Sequence, residues 1–190
     1  MQMNFEQDIL SCLQVLQEGG LILYPTDTVW GIGCDATNEA AVQKVYDLKR
    51  RPDSKSLIVL LAEERDVLQY VAAADLSLFD YLETQQKPTT VIYEGAIGFA
   101  DNLVADDGSI AIRICRESFC RQLLKRFRKP LVSTSANLSG QPTAAGFAAI
   151  STEIKQGVDY VVRYRQDDLS PASPSRLIKW QHGEVVVLRS

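Results

Sequence analysis

The apolar residues of this chain come in short bursts separated by amphipathic stretches, and that spacing limits the fold more than any other feature. LILYP (21–25), LIVLLA (57–62), TTVIY (89–93), SIAIRIC (109–115), PLVST (130–134), YVVRYR (160–165), RLIKW (176–180) and EVVVLR (184–189) are rich in β-branched and aromatic residues and read as strands. Segments of helical period lie between them. Phe5, Ile9, Leu13 and Leu16 share one face of a first helix, opened by a capping box from Asn4 to Gln7 and ended by Gly19-Gly20. Ala41, Val42, Val45 and Leu48 do the same from Asn38 to about Lys49. Two helical segments fill 63–86, one covers 118–129, and another lies near 146–156. Residues 94–108 carry three glycines and four acids and read as a loop. The chain ends in a run of strands, with His182-Gly183 predicting a terminal hairpin. A regular doubly wound repeat would not end that way. The expected fold is α/β, a mixed β-sheet with helices packed on it.

With 190 residues and 46% apolar composition, one domain spanning 1–190 is expected. A net charge of −4 argues against binding nucleic acid by overall charge. The N-terminus has acids where a leader would be basic, and no run approaches the roughly 20 apolar residues of a membrane helix, so a soluble, cytoplasmic protein is expected. Cys12, Cys34, Cys115 and Cys120 are scattered, with no CxxC pair, and fit a reducing compartment. His182 is the sole histidine, which disfavours zinc sites, hydrolytic triads and histidine general catalysis alike.

No GxxxxGK[ST] is present, so a P-loop is excluded, and Gly31 with Gly33 gives only a GxG fragment. Three segments remain that could carry chemistry. PTDTVWGIGCDA (25–36) follows a strand and offers hydroxyls and glycine backbone where open sheets bind ligands, although a turn held by local Asp and Thr bonds explains it equally simply. LKRRPDSKSL (48–57) concentrates Lys49, Arg50, Arg51 and Lys55 between a helix and a strand, as a phosphate clamp or as cations at a helix C-terminus. STSANLSGQPT (133–143) packs five hydroxyls into eleven positions, either a polar loop or a surface of donors for phosphate and ribose.

Together, in this order and spacing, the three segments resemble the YrdC-like threonylcarbamoyl-AMP synthases. The family's PTxTxYG is matched by PTDTVWG, its KxRP…PL by KRRP…SL, and its SANxSGxP by SANLSGQP. Ser109 and Arg113 in SIAIR and the terminal VVLR extend the likeness over nearly the whole chain. The resemblance implies a twisted, YrdC-like sheet with a concave basic cavity. It implies that Lys49, Arg51, Ser135 and Asn137 form the catalytic KxR…SxN set around the nucleotide phosphates. Ser109, Thr143 and Arg189 would join Lys49 and Ser135 in holding ATP, and Thr26, Arg113, Ser133 and Ser175 would hold threonine. No protein side chain is expected to bind a metal; Mg2+ would arrive with ATP.

Departures from the family pattern fall on Trp30 for tyrosine, Ser56 for proline, Leu60 where a histidine often lies, QKPTT (86–90) for PGPxT, and Arg176 after Pro174-Ser175. They leave the threonine pocket the less secure half of the site. The implied reaction joins L-threonine, bicarbonate or CO2, and ATP into threonylcarbamoyl-AMP and pyrophosphate. A separate transferase would then modify adenosine 37 of tRNA. Two other readings stay open. One is an RNA-binding module using Arg121, Lys125, Arg126, Arg128 and Lys129 as a basic stripe, which is equally a solvated helix face. The other is the carbamoyl-adenylate chemistry of hydrogenase maturation proteins, whose extra domain and zinc cysteines have no counterpart here.

Overall fold

The computed structural model describes residues 5–52 and 57–190. Asn4 of the expected capping box, and Lys55 and Ser56 of the basic segment, lie outside the described residues.

In chain order the elements are α1 (Glu6–Gln17), β1 (Ile22–Tyr24), β2 (Gly31–Gly33), α2 (Glu39–Lys49), β3 (Ile58–Leu61), α3 (Ser77–Thr84), β4 (Thr89–Tyr93), β5 (Ile110–Ile114), α4 (Ser118–Phe127), β6 (Leu131–Ser135), α5 (Thr152–Gly157), β7 (Tyr160–Val161), β8 (Arg176–Gln181) and β9 (Glu184–Arg189). Local chemistry sets several ends. Asn38 caps α2 by accepting from the Ala41 amide at 3.0 Å, and Glu117 caps α4 through Cys120 at 2.8 Å. Arg50 and Arg128 close the same two helices in the left-handed conformation, φ 51° and 60°. His182 and Gly183, both at positive φ, make the two-residue turn between β8 and β9, as a primed hairpin requires.

The strands form one mixed sheet in the order β7-β1-β2-β6-β3-β5-β4-β8-β9 among the described residues. β3–β5, β4–β8 and β1–β7 pair parallel, and the remaining neighbours pair antiparallel. A continuous apolar core runs from Ile9 and Leu16 of α1 through the strands to Phe119 and Leu123 of α4. No helix among the described residues is long and apolar enough to cross a membrane.

Three elements differ from the sequence reading, each for a tertiary reason. GIG (31–33) is not a loop but a buried strand between β1 and β6. Two glycines in three residues carry no strand pattern; they are needed because the Tyr24 ring and the β6 backbone press against them. A Cβ on Gly33 would lie 2.6 Å from Tyr24 Cε1 and 2.8 Å from the Val132 carbonyl. The second contact is backbone and cannot swing away. Gly33→Ala is therefore expected to cost about 2–3 kcal/mol, read as a fall in Tm of roughly 5–10 °C for a chain of this size. An unchanged melt would contradict the burial of β2.

YVVRYR keeps strand pairing only at Tyr160–Val161, because the Arg163 and Tyr164 amides bond the buried Asp8 carboxylate at 3.1 and 3.0 Å in place of a neighbouring strand. The helix expected near 146–156 is divided into a 3-10 turn at Phe147–Ala149 and α5, which Ser151 caps through the Ile154 amide.

Candidate functional site

Burying polar groups is costly unless they are satisfied or used, so their distribution points to function. Among the described residues eleven polar or charged side chains are buried: Asp8, Thr26, Asp35, Lys49, Thr89, Thr90, Ser109, Arg113, Ser133, Thr134 and Ser175. Six of them are residues singled out from the sequence.

A hollow of about 360 Å³ lies on one face of the sheet. Cross-strand registry builds its floor: Ser133, Ile58, Ala111 and Ile92 are successive partners across β6, β3, β5 and β4, and Arg113, Thr90 and Leu177 form the next row. Its walls come from Thr28 and Gly31, from Arg51 after α2, from Thr134, Ser135 and Thr143, from Pro174 and Ser175, and from Arg189 at the end of β9. Three arginines and a set of hydroxyls face it, with no carboxylate among the described lining residues. Such a field favours a polyanion even in a chain of net negative charge.

Seven of the predicted residues converge here: Arg51, Arg113, Ser133, Ser135, Thr143, Ser175 and Arg189. The others stand around it. Lys49, on the last turn of α2 and 1% exposed, lies behind the wall, where its ammonium donates to the carbonyls of Ser135 and, at 2.6 Å, of Asn137. The Ser139 amide returns a bond to the Lys49 carbonyl at 2.8 Å. The lysine thus clamps the SANLSG loop against α2. Burial, and then the Arg51 charge, push its ammonium down to about 8. Burial also lowers the Arg51 guanidinium from its ordinary value. Asn137 Nδ2 donates to the Leu138 and Gln141 carbonyls at 3.0 and 2.9 Å, leaving Oδ1 buried without a partner.

Ser109 precedes β5 on the face shared by Ala111 and Arg113 but outside the lining, with its amide held by Asp107 Oδ1 at 3.0 Å. Thr26 does not line the hollow either. Its hydroxyl donates to the Val29 carbonyl at 2.8 Å and accepts the Thr28 amide at 3.0 Å, so it shapes the turn that presents Thr28. Ser175 is bound to Thr90 (Oγ–Oγ1 2.7 Å), and Arg189 reaches the Ser175 carbonyl through Nε and Nη2 at 3.0 and 2.9 Å. The last strand is fastened to the hollow by that fork.

The sequence reading missed Thr28 and Leu177. Thr28 had a signal, since the second threonine of PTDT stands two residues from the first; Leu177 had none beyond strand alternation. Three of the departures can be followed individually. Arg176 turns away to Tyr81 and the Gln85 side chain, at 2.9 and 3.1 Å, and leaves the hollow unaltered. Trp30 packs on Phe147 with ring centres 4.8 Å apart and does not line the hollow. Leu60 is fully buried and lies in register with Arg113 across β3 and β5.

Four of the five cations in the 118–129 run take part in ion pairs with three carboxylates. Arg121 and Lys125 pair with Glu63, Arg126 with Glu6 at 2.6 Å, and Lys129 with Asp35 at 2.9 Å. It is a paired helix face, and the RNA-module reading loses its main support.

Comparison with known proteins bears on the family and the fold. A family model, Sua5_yciO_yrdC, described as "Telomere recombination", matches residues 14–190. A protein of Idiomarina loihiensis named Threonylcarbamoyl-AMP synthase is 36% identical over 87% of this chain and 90% of its own length. One of the same name from Vibrio parahaemolyticus is 39% identical over 73% of this chain and 75% of its own. Among solved structures, P. abyssi Sua5 complexed with L-threonine superposes with a TM-score of 0.85 at 20% identity, over 97% of this chain. The chain spans 54% of that protein's length. E. coli YciO gives 0.82 at 20% identity, covering 97% of this chain and 89% of its own. HypF in a phosphate- and nucleotide-bound form gives 0.81 at 19% identity over 95% of this chain but 28% of its own. These likenesses in structure show a common fold, while the sequence matches go further. With the family match covering residues 14–190, this chain belongs to the Sua5/YciO/YrdC family.

Proposed function

We propose that this protein forms threonylcarbamoyl-AMP and pyrophosphate from L-threonine, bicarbonate or CO2, and Mg-ATP. The observation that carries the reading is the hollow itself, in which Arg51, Arg113 and Arg189 meet the Ser133, Ser135 and Thr143 hydroxyls with no carboxylate among the described lining residues. The relatives named Threonylcarbamoyl-AMP synthase supply the reaction class.

The chemistry follows from charge. The threonine amine and bicarbonate or CO2 give a carbamate. A carbamate oxygen attacks the α-phosphorus, the bond from that phosphorus to the bridging oxygen breaks, and pyrophosphate leaves. Anion must approach polyanion, so positioning and screening are the main tasks. Arg51 and Arg189 screen the phosphates, while Ser135 and Thr143 orient them. Lys49 and Asn137 hold the loop that carries Ser135. Arg113 grips the threonine carboxylate, beside Ser133 and Ser175. Once the carbamate exists no general base is required, in keeping with a hollow that has no histidine in its described lining. Mg2+ enters on the triphosphate as part of the substrate. The product is a reactive mixed anhydride, suited to direct transfer by a separate enzyme to adenosine 37 of tRNA.

The test mixes protein, Mg-ATP and bicarbonate with and without L-threonine, and follows pyrophosphate and a new adenylate by mass. Both should appear only with threonine. Pyrophosphate release driven by carbamoyl phosphate without threonine would point to the carbamoyl-adenylate chemistry of HypF-type proteins instead.

A further inference from the structure

The third residue of PTDT has no part in the scheme above, yet it faces the most buried cation of the hollow. Arg113 rises from the middle of β5, 3% exposed, and the one ion pair recorded for it among the described residues is with Asp27, Nη2 to Oδ1 at 3.1 Å. The same Nη2 donates to Thr28 Oγ1 at 3.3 Å. The donors can be followed from there. Thr26 gives its only hydroxyl hydrogen to the Val29 carbonyl, so in the 3.1 Å contact between the two threonines Thr28 is the donor. Thr28 is left with lone pairs for Arg113. The turn is therefore wired in one direction, and its end point is a fixed guanidinium.

Two atoms in this array remain unsatisfied. Arg113 Nε is buried with no hydrogen-bond partner, and Asp27 Oδ1, although close to Nη2, is not aligned for a hydrogen bond. The guanidinium is thus tethered at one nitrogen and uncommitted at another. Asp27 approaches from outside the hollow. It lines the neighbouring cavity of about 380 Å³, with Thr26, Gln85, Pro88, Glu117 and Arg165, whereas Arg113 and Thr28 line the first. Arg165 fastens the turn from that side, donating to the Thr26 carbonyl at 3.1 Å.

We infer that Asp27 is the positioning residue for substrate recognition: from behind the wall it holds the Arg113 guanidinium in place and oriented, so that its uncommitted Nε–H meets a carboxylate. The inference rests on the proposed use of threonine and deepens it. A buried guanidinium without a counter-charge would leave its place or draw in water. A carboxylate fork is bidentate and tolerates little rotation, so a loosened arginine loses grip on the carboxylate before anything else.

The test is Asp27→Asn, with Asp27→Glu as the conservative variant, assayed by pyrophosphate release with L-threonine and with L-threoninamide, which lacks the carboxylate. For Asp27→Asn the KM for threonine should rise by about tenfold or more while the KM for ATP stays within about threefold. The preference for threonine over its amide should shrink by a similar factor, and Asp27→Glu should recover part of it. A merely structural role would move both KM values and the melting temperature together and leave the amide preference intact. An unchanged or tighter threonine KM in the Asn variant overturns the inference and leaves the synthase reading standing. A wild-type protein that releases no pyrophosphate in response to threonine removes both.

Discussion

Replacing Lys49 with methionine is expected to reduce threonine-dependent pyrophosphate release by at least about a hundredfold, because the loop that carries Ser135 loses its clamp and the hollow loses a positive charge behind its wall. The geometry gives a further signature. Two carbonyls, of Ser135 and Asn137, would lose the ammonium that satisfies them. Each orphaned buried acceptor costs about 1–3 kcal/mol, offset in part by no longer burying a charge. The loss should be local, appearing as faster amide exchange across 135–141 with a small net change in Tm. Activity within a few-fold of wild type in a folded variant would remove Lys49 from the mechanism.

Besides clamping the loop, the Lys49 charge adds to the positive field of the hollow from behind its wall, and a pH profile separates the two roles. The ammonium has three N–H groups and two are committed to carbonyls, so the proton lost near pH 8 is the uncommitted one and the clamp survives deprotonation. ATP affinity of the free protein should therefore fall as pH rises through about 8, before the fold does. Stability has the opposite sign. Between about 8 and the ordinary 10.5 the unfolded chain binds the Lys49 proton and the folded chain does not, so this group's destabilising contribution, complete below 8, is relieved as pH rises through that window. ATP titration at pH 7, 8.5 and 9.5, and the difference in thermal melts between wild type and Lys49→Met at the same pH values, would resolve both slopes; the difference cancels the opposite slope of the buried Cys12 and Cys34 thiols, which burial pushes up.

Arg113→Ala should act on the other substrate. The KM for threonine is expected to rise by about a hundredfold with little change in that for ATP, because the lost group is a charged donor to a carboxylate. Stability should fall as well, since Asp27 loses its ion-pair partner. Asp27 is 14% exposed, so hydration relieves part of that and the cost is nearer about 2 kcal/mol than the 3–5 kcal/mol of a fully buried half-pair. Threonine dependence equal to wild type would contradict the assignment.

The alternation of short β-branched runs with amphipathic segments placed β1, β3, β4, β5, β6, β8 and β9 and the helices α1, α2 and α4, because period and caps are local properties. Boundaries were less legible where a distant group took over a backbone donor, as Asp8 does at Arg163 and Tyr164. The motif residues were legible as chemistry, and seven of them do share one hollow. Their division of labour was not legible. Lys49 reads in sequence as one more cation of a phosphate clamp, and only the α2–β6 contact turns it inward onto two carbonyls.

What the chain determined by itself is therefore its inventory: a mixed sheet, an absent P-loop, no histidine machinery, and three polar segments at family spacing. Packing decided who faces whom. Registry between β3, β4, β5 and β6 sets Ser133, Ile58, Ala111 and Ile92 in a row, and the turn at Thr26 puts Thr28 inside and Asp27 outside. Side-chain period is a property of one strand, whereas a site is made where strands far apart in sequence become neighbours, and that choice belongs to the buried core as a whole.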